Sequence, residues 1–94
     1  MDLIKMMLER GWECWDTGGG GTALVKQFDG GFRVVATDMD GMAVPMLGEA
    51  MMFGLYYDAT NEPVGDVFDV LSITTPAQMD LVAFLVHATM GRMK

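Results

Sequence analysis

Cations are scarce in this chain, and the scarcity is uneven. Thirteen Asp and Glu face six Lys and Arg, for a formal net charge of −7. No Lys or Arg occurs between residues 34 and 91, yet that stretch holds Asp38, Asp40, Glu49, Asp58, Glu62, Asp66, Asp69 and Asp80. Carboxylates without cationic neighbours repel nucleic-acid phosphates and anionic membranes, and they attract basic protein surfaces. Direct nucleic-acid binding and membrane association are therefore not expected, whereas a basic protein partner is. A charge of this sign also serves solubility on its own.

Thiol and imidazole are almost as scarce. Cys14 is the only cysteine, so an internal disulfide is excluded and nothing argues for an oxidising compartment. His87 is the only histidine, and one His with one Cys cannot make a zinc site without several carboxylates. A nucleophile or general base would need an oriented partner and a third group, and no such set is legible. Long apolar runs are missing too. The longest, Leu81 to Val86, is far below the roughly 20 residues that span a bilayer. The first ten residues mix two acids with two bases and have no long apolar core, which does not read as a signal peptide. The expectation is a soluble, cytoplasmic protein.

What the chain does have is enough apolar residue for one core. Hydrophobic residues make up 51% of 94, which predicts a single domain over residues 1–94 with neither linker nor repeat. The most legible stretch is Thr22 to Gly41. Two β-rich runs, Thr22–Phe28 and Phe32–Asp38, flank Asp29-Gly30-Gly31, a hairpin signal because glycine supplies the positive φ of a tight turn. Upstream, Asp2 can cap a helix from Leu3 to about Arg10, with Leu3, Ile4, Met7 and Leu8 on one face and Gly11 as its stop. Trp12–Asp16 reads as a short strand or extended segment, and Thr17–Gly21 as a flexible loop.

Downstream of Gly41, Met42–Met46 is a candidate strand weakened by Pro45. Ala50–Tyr57 is a strand in which Gly54 marks a bulge or the close approach of a bulky neighbour such as a Trp. Asp58–Gly65 reads as a loop and Asp66–Thr74 as a further strand. Thr75-Pro76-Ala77-Gln78 joins a capping box to a helix-starting proline, predicting a helix from Pro76 to about Met90 with Gly91, Arg92 and Lys94 beyond its end. The fold class is α+β: a helix, an antiparallel meander of about four to six strands, and a second helix, with both helices on one sheet face.

Two features exceed what one core needs. Phe84 shares a helical stripe with Asp80 and His87, so it is either core in an awkward place or an exposed anchor. In Ala50–Tyr57 the apolar residues do not alternate with polar ones: Met51, Phe53, Leu55 and Tyr57 share one face, and Met52 and Tyr56 the other. A sheet apolar on both faces calls for a second covering layer, from a partner or from another copy of the chain. Phe84, Met52 and Tyr56 are the candidate apolar interface, with a homodimer as one outcome. Five of the 11 methionines crowd between Met39 and Met52, where they fill core or make an adaptable binding patch.

Motifs for catalysis fail on inspection. Val34-Val35-Ala36-Thr37-Asp38-Met39-Asp40-Gly41-Met42 looks like the first motif of haloacid-dehalogenase-type phosphatases, where the first Asp attacks phosphorus and the second acts as acid and base. Met42 stands where that family has Thr, and only 53 residues follow Gly41, their sole lysine being Lys94. A metal-dependent hydrolase using Asp38 and Asp40 is thereby disfavoured. As an EF-hand loop the same segment would put Ala36 and Leu47 at ligand positions. Gly18–Gly21 lacks the Gly-Lys-Ser/Thr of a phosphate loop.

The reading is a non-enzymatic binding protein with no cofactor and no metal. Its candidate partner-binding residues are Asp38, Asp40, Glu49, Asp58, Glu62, Asp66 and Asp69. In size, charge and lack of an active site the chain resembles the small phage and mobile-element proteins that inhibit CRISPR systems. The resemblance rests on no motif, so it carries over no residue. It implies docking on a nucleic-acid-binding subunit of a CRISPR complex by mimicry of phosphate. The alternative from another class is a homo-oligomeric structural or accessory domain.

Overall fold

Asp29-Gly30-Gly31 turns the chain as its composition requires. Gly30 and Gly31 take φ of 89° and 84°, a region closed to most side chains, and Phe28 pairs with Phe32 directly across the turn. The structure, a computed structural model, describes residues 3–18, 20–65, 67–70 and 73–90. The expected cap at Asp2, the acid Asp66 and the C-terminal Gly91, Arg92 and Lys94 lie outside the described residues.

Seven elements follow in order: α1 (Leu3–Glu9), β1 (Glu13–Gly18), β2 (Gly21–Phe28), β3 (Phe32–Asp38), β4 (Met51–Tyr57), β5 (Phe68–Val70) and α2 (Pro76–Met90). The strands form one sheet in the order β1-β2-β3-β4-β5, every pair antiparallel, so the α+β meander holds with five strands. α2 begins where its capping box predicts. The Gln78 N–H donates to Thr75 Oγ1 at 3.3 Å, and Gln78 Oε1 accepts from the Thr75 N–H at 3.2 Å and the Thr74 N–H at 2.7 Å. Among the described residues no helix is long and apolar enough to cross a membrane.

The core grows from alternation along the strands. Leu24, Val34, Ala36, Met51, Phe53 and Leu55 point to one side and are nearly or wholly buried. α1 adds Met7 to this cluster, α2 adds Met79, Ala83 and Val86, and Trp12 closes it beside them. Leu8, expected on the buried face of α1, is 48% exposed. The two helices are tied by polar groups as well: the Trp12 indole N–H donates to Asp80 at 2.7 Å, and Arg10 pairs with the same carboxylate. His87 stacks on Phe28 with ring centroids 4.6 Å apart.

Among the local readings, Met42–Met46 is overturned, Gly54 is narrowed to one of its two alternatives, and the ends of Thr17–Gly21 join β1 and β2. Met42–Met46 is no strand: the chain there belongs to a closed loop, held by Asp38 rather than by a ladder. Gly54 is no bulge, because β3 and β4 stay in unbroken register past it. It is a close approach, and the neighbour is a tyrosine: a Cβ at Gly54 would stand 3.0 Å from the Tyr56 ring and 3.3 Å from Val67. Of the expected strand Asp66–Thr74, β5 holds Phe68–Val70, Val67, Ile73 and Thr74 lie outside the ladder, and residues 66, 71 and 72 lie outside the described residues.

Candidate functional site

Whether the acids form one surface depends on which strand ends meet. Met51 pairs with Asp38 at one end of β4, and Tyr57 precedes Asp58 at the other; six strand steps, about 20 Å, separate them. The acids therefore divide between the two ends of the sheet. Asp38, Asp40 and Glu49 come together around one depression of about 310 Å³ in the loop between β3 and β4. Asp69 sits opposite Met52, on the same half of the sheet. Asp58 and Glu62 occupy the far end, where the Tyr57 N–H donates to the Glu62 carbonyl at 2.9 Å and folds that loop back on β4.

The individual carboxylates differ in what they already do. Asp38 Oδ1 accepts from the Met42 N–H at 3.1 Å and the Ala43 N–H at 3.4 Å, while the Asp38 N–H donates to the Ala43 carbonyl at 2.9 Å. Its first task is thus to close the loop, as short Asp side chains do when they satisfy local backbone donors. Asp58 accepts from Arg33 at 3.2 Å. Asp40, Glu49, Glu62 and Asp69 are exposed.

Around the β3–β4 depression the loop also presents thioethers. Met39, Met42 and Met46 are 41%, 56% and 60% exposed, which a purely core-filling role would not leave open. Met51 is by contrast fully buried, and Met52 half-buried. The cluster of five methionines in the sequence is therefore split by the fold into core and surface. The signal that separates them is the start of β4, because alternation begins only there.

The candidate apolar interface is split as well. Met52 and Tyr56 point to the sheet face opposite Met51, Phe53 and Leu55, whereas Phe84 lies 57% exposed on α2. The outer sheet face is roofed by a stack that the sequence reading missed. The Arg33 guanidinium lies 5.1 Å from the Trp15 ring centroid and 5.6 Å from that of Tyr56, and Arg33 is 6% exposed. Its alternation with Phe32 and Val34 was the available signal. It places Arg33 on the outer face, where two half-buried aromatics wait.

Among the described residues no three His, Cys, Asp or Glu side chains gather as a metal-ligand set. Cys14 is exposed on β1. No protein-family model matches the chain, and comparison with curated proteins and with solved structures likewise found no match.

Proposed function

We propose that this is a non-catalytic binding protein whose β3–β4 end docks on a basic surface of a larger protein. The observation that supports the reading is the exposure of Met39, Met42 and Met46 alongside Asp40 and Glu49, in a stretch without Lys or Arg. Carboxylates take the hydrogen bonds that Arg and Lys would give to phosphate, and the electrostatic attraction speeds and orients the encounter. The thioethers supply apolar contact that adapts to the partner's shape. Where the basic surface ordinarily holds nucleic acid, occupying it inhibits the partner. The general resemblance to CRISPR inhibitors makes a nucleic-acid-binding subunit of a CRISPR complex the target to try first. Asp58 and Glu62, about 20 Å away at the far end of β4, serve a partner whose basic surface is long enough to meet both ends.

The test is a tagged pull-down from a lysate of the source organism with low- and high-salt washes, followed by competition against DNA or RNA for the captured partner. Retention at low salt, weakened at high salt, is expected. Reversing two charges together, Asp40→Lys with Glu49→Lys, should weaken binding at low salt by about 30-fold, since each exposed charge contributes of order 1 kcal/mol. Equal affinity for the double variant and the parent, with the fold intact, would sink the proposal.

A further inference from the structure

The outer face of the sheet carries a slot that docking at the β3–β4 end does not use. Alternation sends Trp15, Val25, Arg33, Val35 and Tyr56 to this face, away from α2. With Asp16 and Asn61 they line a depression of about 310 Å³. Val25 and Val35, paired across β2 and β3, give it an apolar floor. Trp15 and Tyr56 give it aromatic walls, and Tyr56 lies back over Gly54. Arg33 is held against both rings and is 6% exposed. Its Nη1 donates to the Tyr57 carbonyl and to Asp58, but its Nε–H is buried and meets no acceptor. Folded proteins seldom leave a buried donor unmatched, because the lost hydration is not repaid.

We propose that the slot binds a small planar monocarboxylate: one aromatic or heteroaromatic ring seated between Trp15 and Tyr56, with its carboxylate accepting from the Arg33 Nε–H. The unmatched donor belongs to a cation, which selects an anionic acceptor through a charge-assisted hydrogen bond. The apolar floor and the two rings suit the faces of a third ring. Trp15 contributes a face and not its donor, because its indole N–H is taken by Glu13 at 2.6 Å. Size points to a single ring, since 310 Å³ is at the low end for small-molecule sites. Charge limits the ligand to one negative group. Asp58 already pairs with Arg33, and Asp16 stands beside the slot, so a phosphate dianion is disfavoured. Because Nε is buried, the carboxylate reaches it as the half-buried Trp15 ring swings outward, a rotamer change of the kind common on binding.

The test is a titration of the ¹⁵N-labelled whole chain with benzoate to about 20 mM, read by two-dimensional NMR; a ligand of about nine heavy atoms should bind with a dissociation constant of order 1 mM. The chain has two tryptophans. The Trp15 indole signal should move together with the amides of Val25, Val35 and Tyr56, while that of Trp12, buried in the core, stays in place. Benzylammonium, similar in shape and opposite in charge, should bind at least about tenfold more weakly. Arg33→Met keeps an aliphatic stem between the rings and should also lose about tenfold or more. Should that variant unfold, Val35→Phe fills the slot with Arg33 in place and should abolish the shifts. A Trp15 signal that benzoate leaves unmoved overturns the proposal. So does benzylammonium binding as well as benzoate, or a folded Arg33→Met or Val35→Phe variant that binds benzoate like the parent.

Discussion

Asp38 combines two properties that substitution can separate: a negative charge at the docking end, and an acceptor that closes the loop. Asp38→Ala removes both. The acceptor serves the Met42 N–H at 3.1 Å and, more weakly, the Ala43 N–H at 3.4 Å. A hydrogen bond to a charged group is worth about 1.5–3 kcal/mol when well made. Asp38 is half-buried and the second bond is long, so the loss should be near the lower bound, about 1.5 kcal/mol. For a domain of this size each kcal/mol moves Tm by about 4–8 °C, so Asp38→Ala should melt about 6–12 °C below the parent. Asp38→Asn keeps a side-chain oxygen in the same place and should recover more than half of that loss. Both variants remove the same single charge, so at low salt they should weaken a basic partner equally, provided the Ala variant is assayed well below its Tm. Thermal melts of the three proteins by circular dichroism decide it. If Asp38→Asn melts as low as Asp38→Ala, or if neither shifts, the account of the loop is wrong.

Two further outcomes test the packing. Gly54→Ala should destabilise by about 1 kcal/mol despite the better intrinsic strand propensity of alanine, because the new methyl meets the Tyr56 ring at 3.0 Å and Val67 at 3.3 Å; pairing it with Tyr56→Ala should relieve the effect, and additive losses in the double variant would contradict the close-approach reading. Trp12→Phe should lose about 2 kcal/mol in urea unfolding, since it leaves Asp80 without the indole donor at 2.7 Å and opens space in the core; a loss below about 0.5 kcal/mol would show that the indole contributes little to joining the helices.

The fold was legible wherever short-range chemistry decides it. Thr75, Pro76 and Gln78 start α2 by satisfying backbone donors within one turn, and Gly30 and Gly31 make a hairpin by admitting a φ that other residues resist. Such signals need no knowledge of the rest of the chain. The candidate site was legible only in its parts. That Asp40 and Glu49 share a depression while Asp58 lies a strand length away depends on β3 and β4 being neighbours in register, a long-range fact. Met42–Met46 misled because apolar residues near a proline suit an edge strand or a tight loop equally, and the choice fell to the Asp38 carboxylate. Phe84 was ambiguous for a related reason. Its stripe with Asp80 and His87 looked polar, yet Arg10, Trp12 and Phe28 hold those two at the border of the core, while Phe84, on the outer margin of the same stripe, stays exposed.

Arg33 bears on how the chain reaches this fold. It lies between Phe32 and Val34, both buried on the side of the sheet where α2 packs, and its guanidinium is held on the other side by Trp15, Tyr56, the Tyr57 carbonyl at 3.3 Å and Asp58 at 3.2 Å. If β3 slid by one residue against its neighbours, every side chain would change face, and the guanidinium would be driven in among Leu24, Phe53 and Leu55. Burying an unpaired cation there is costly, so the slipped register is strongly disfavoured against the native one. Arg33 thus works as a register key for β3: the alignment that seats its guanidinium between Trp15 and Tyr56 is the one that keeps a cation out of the core.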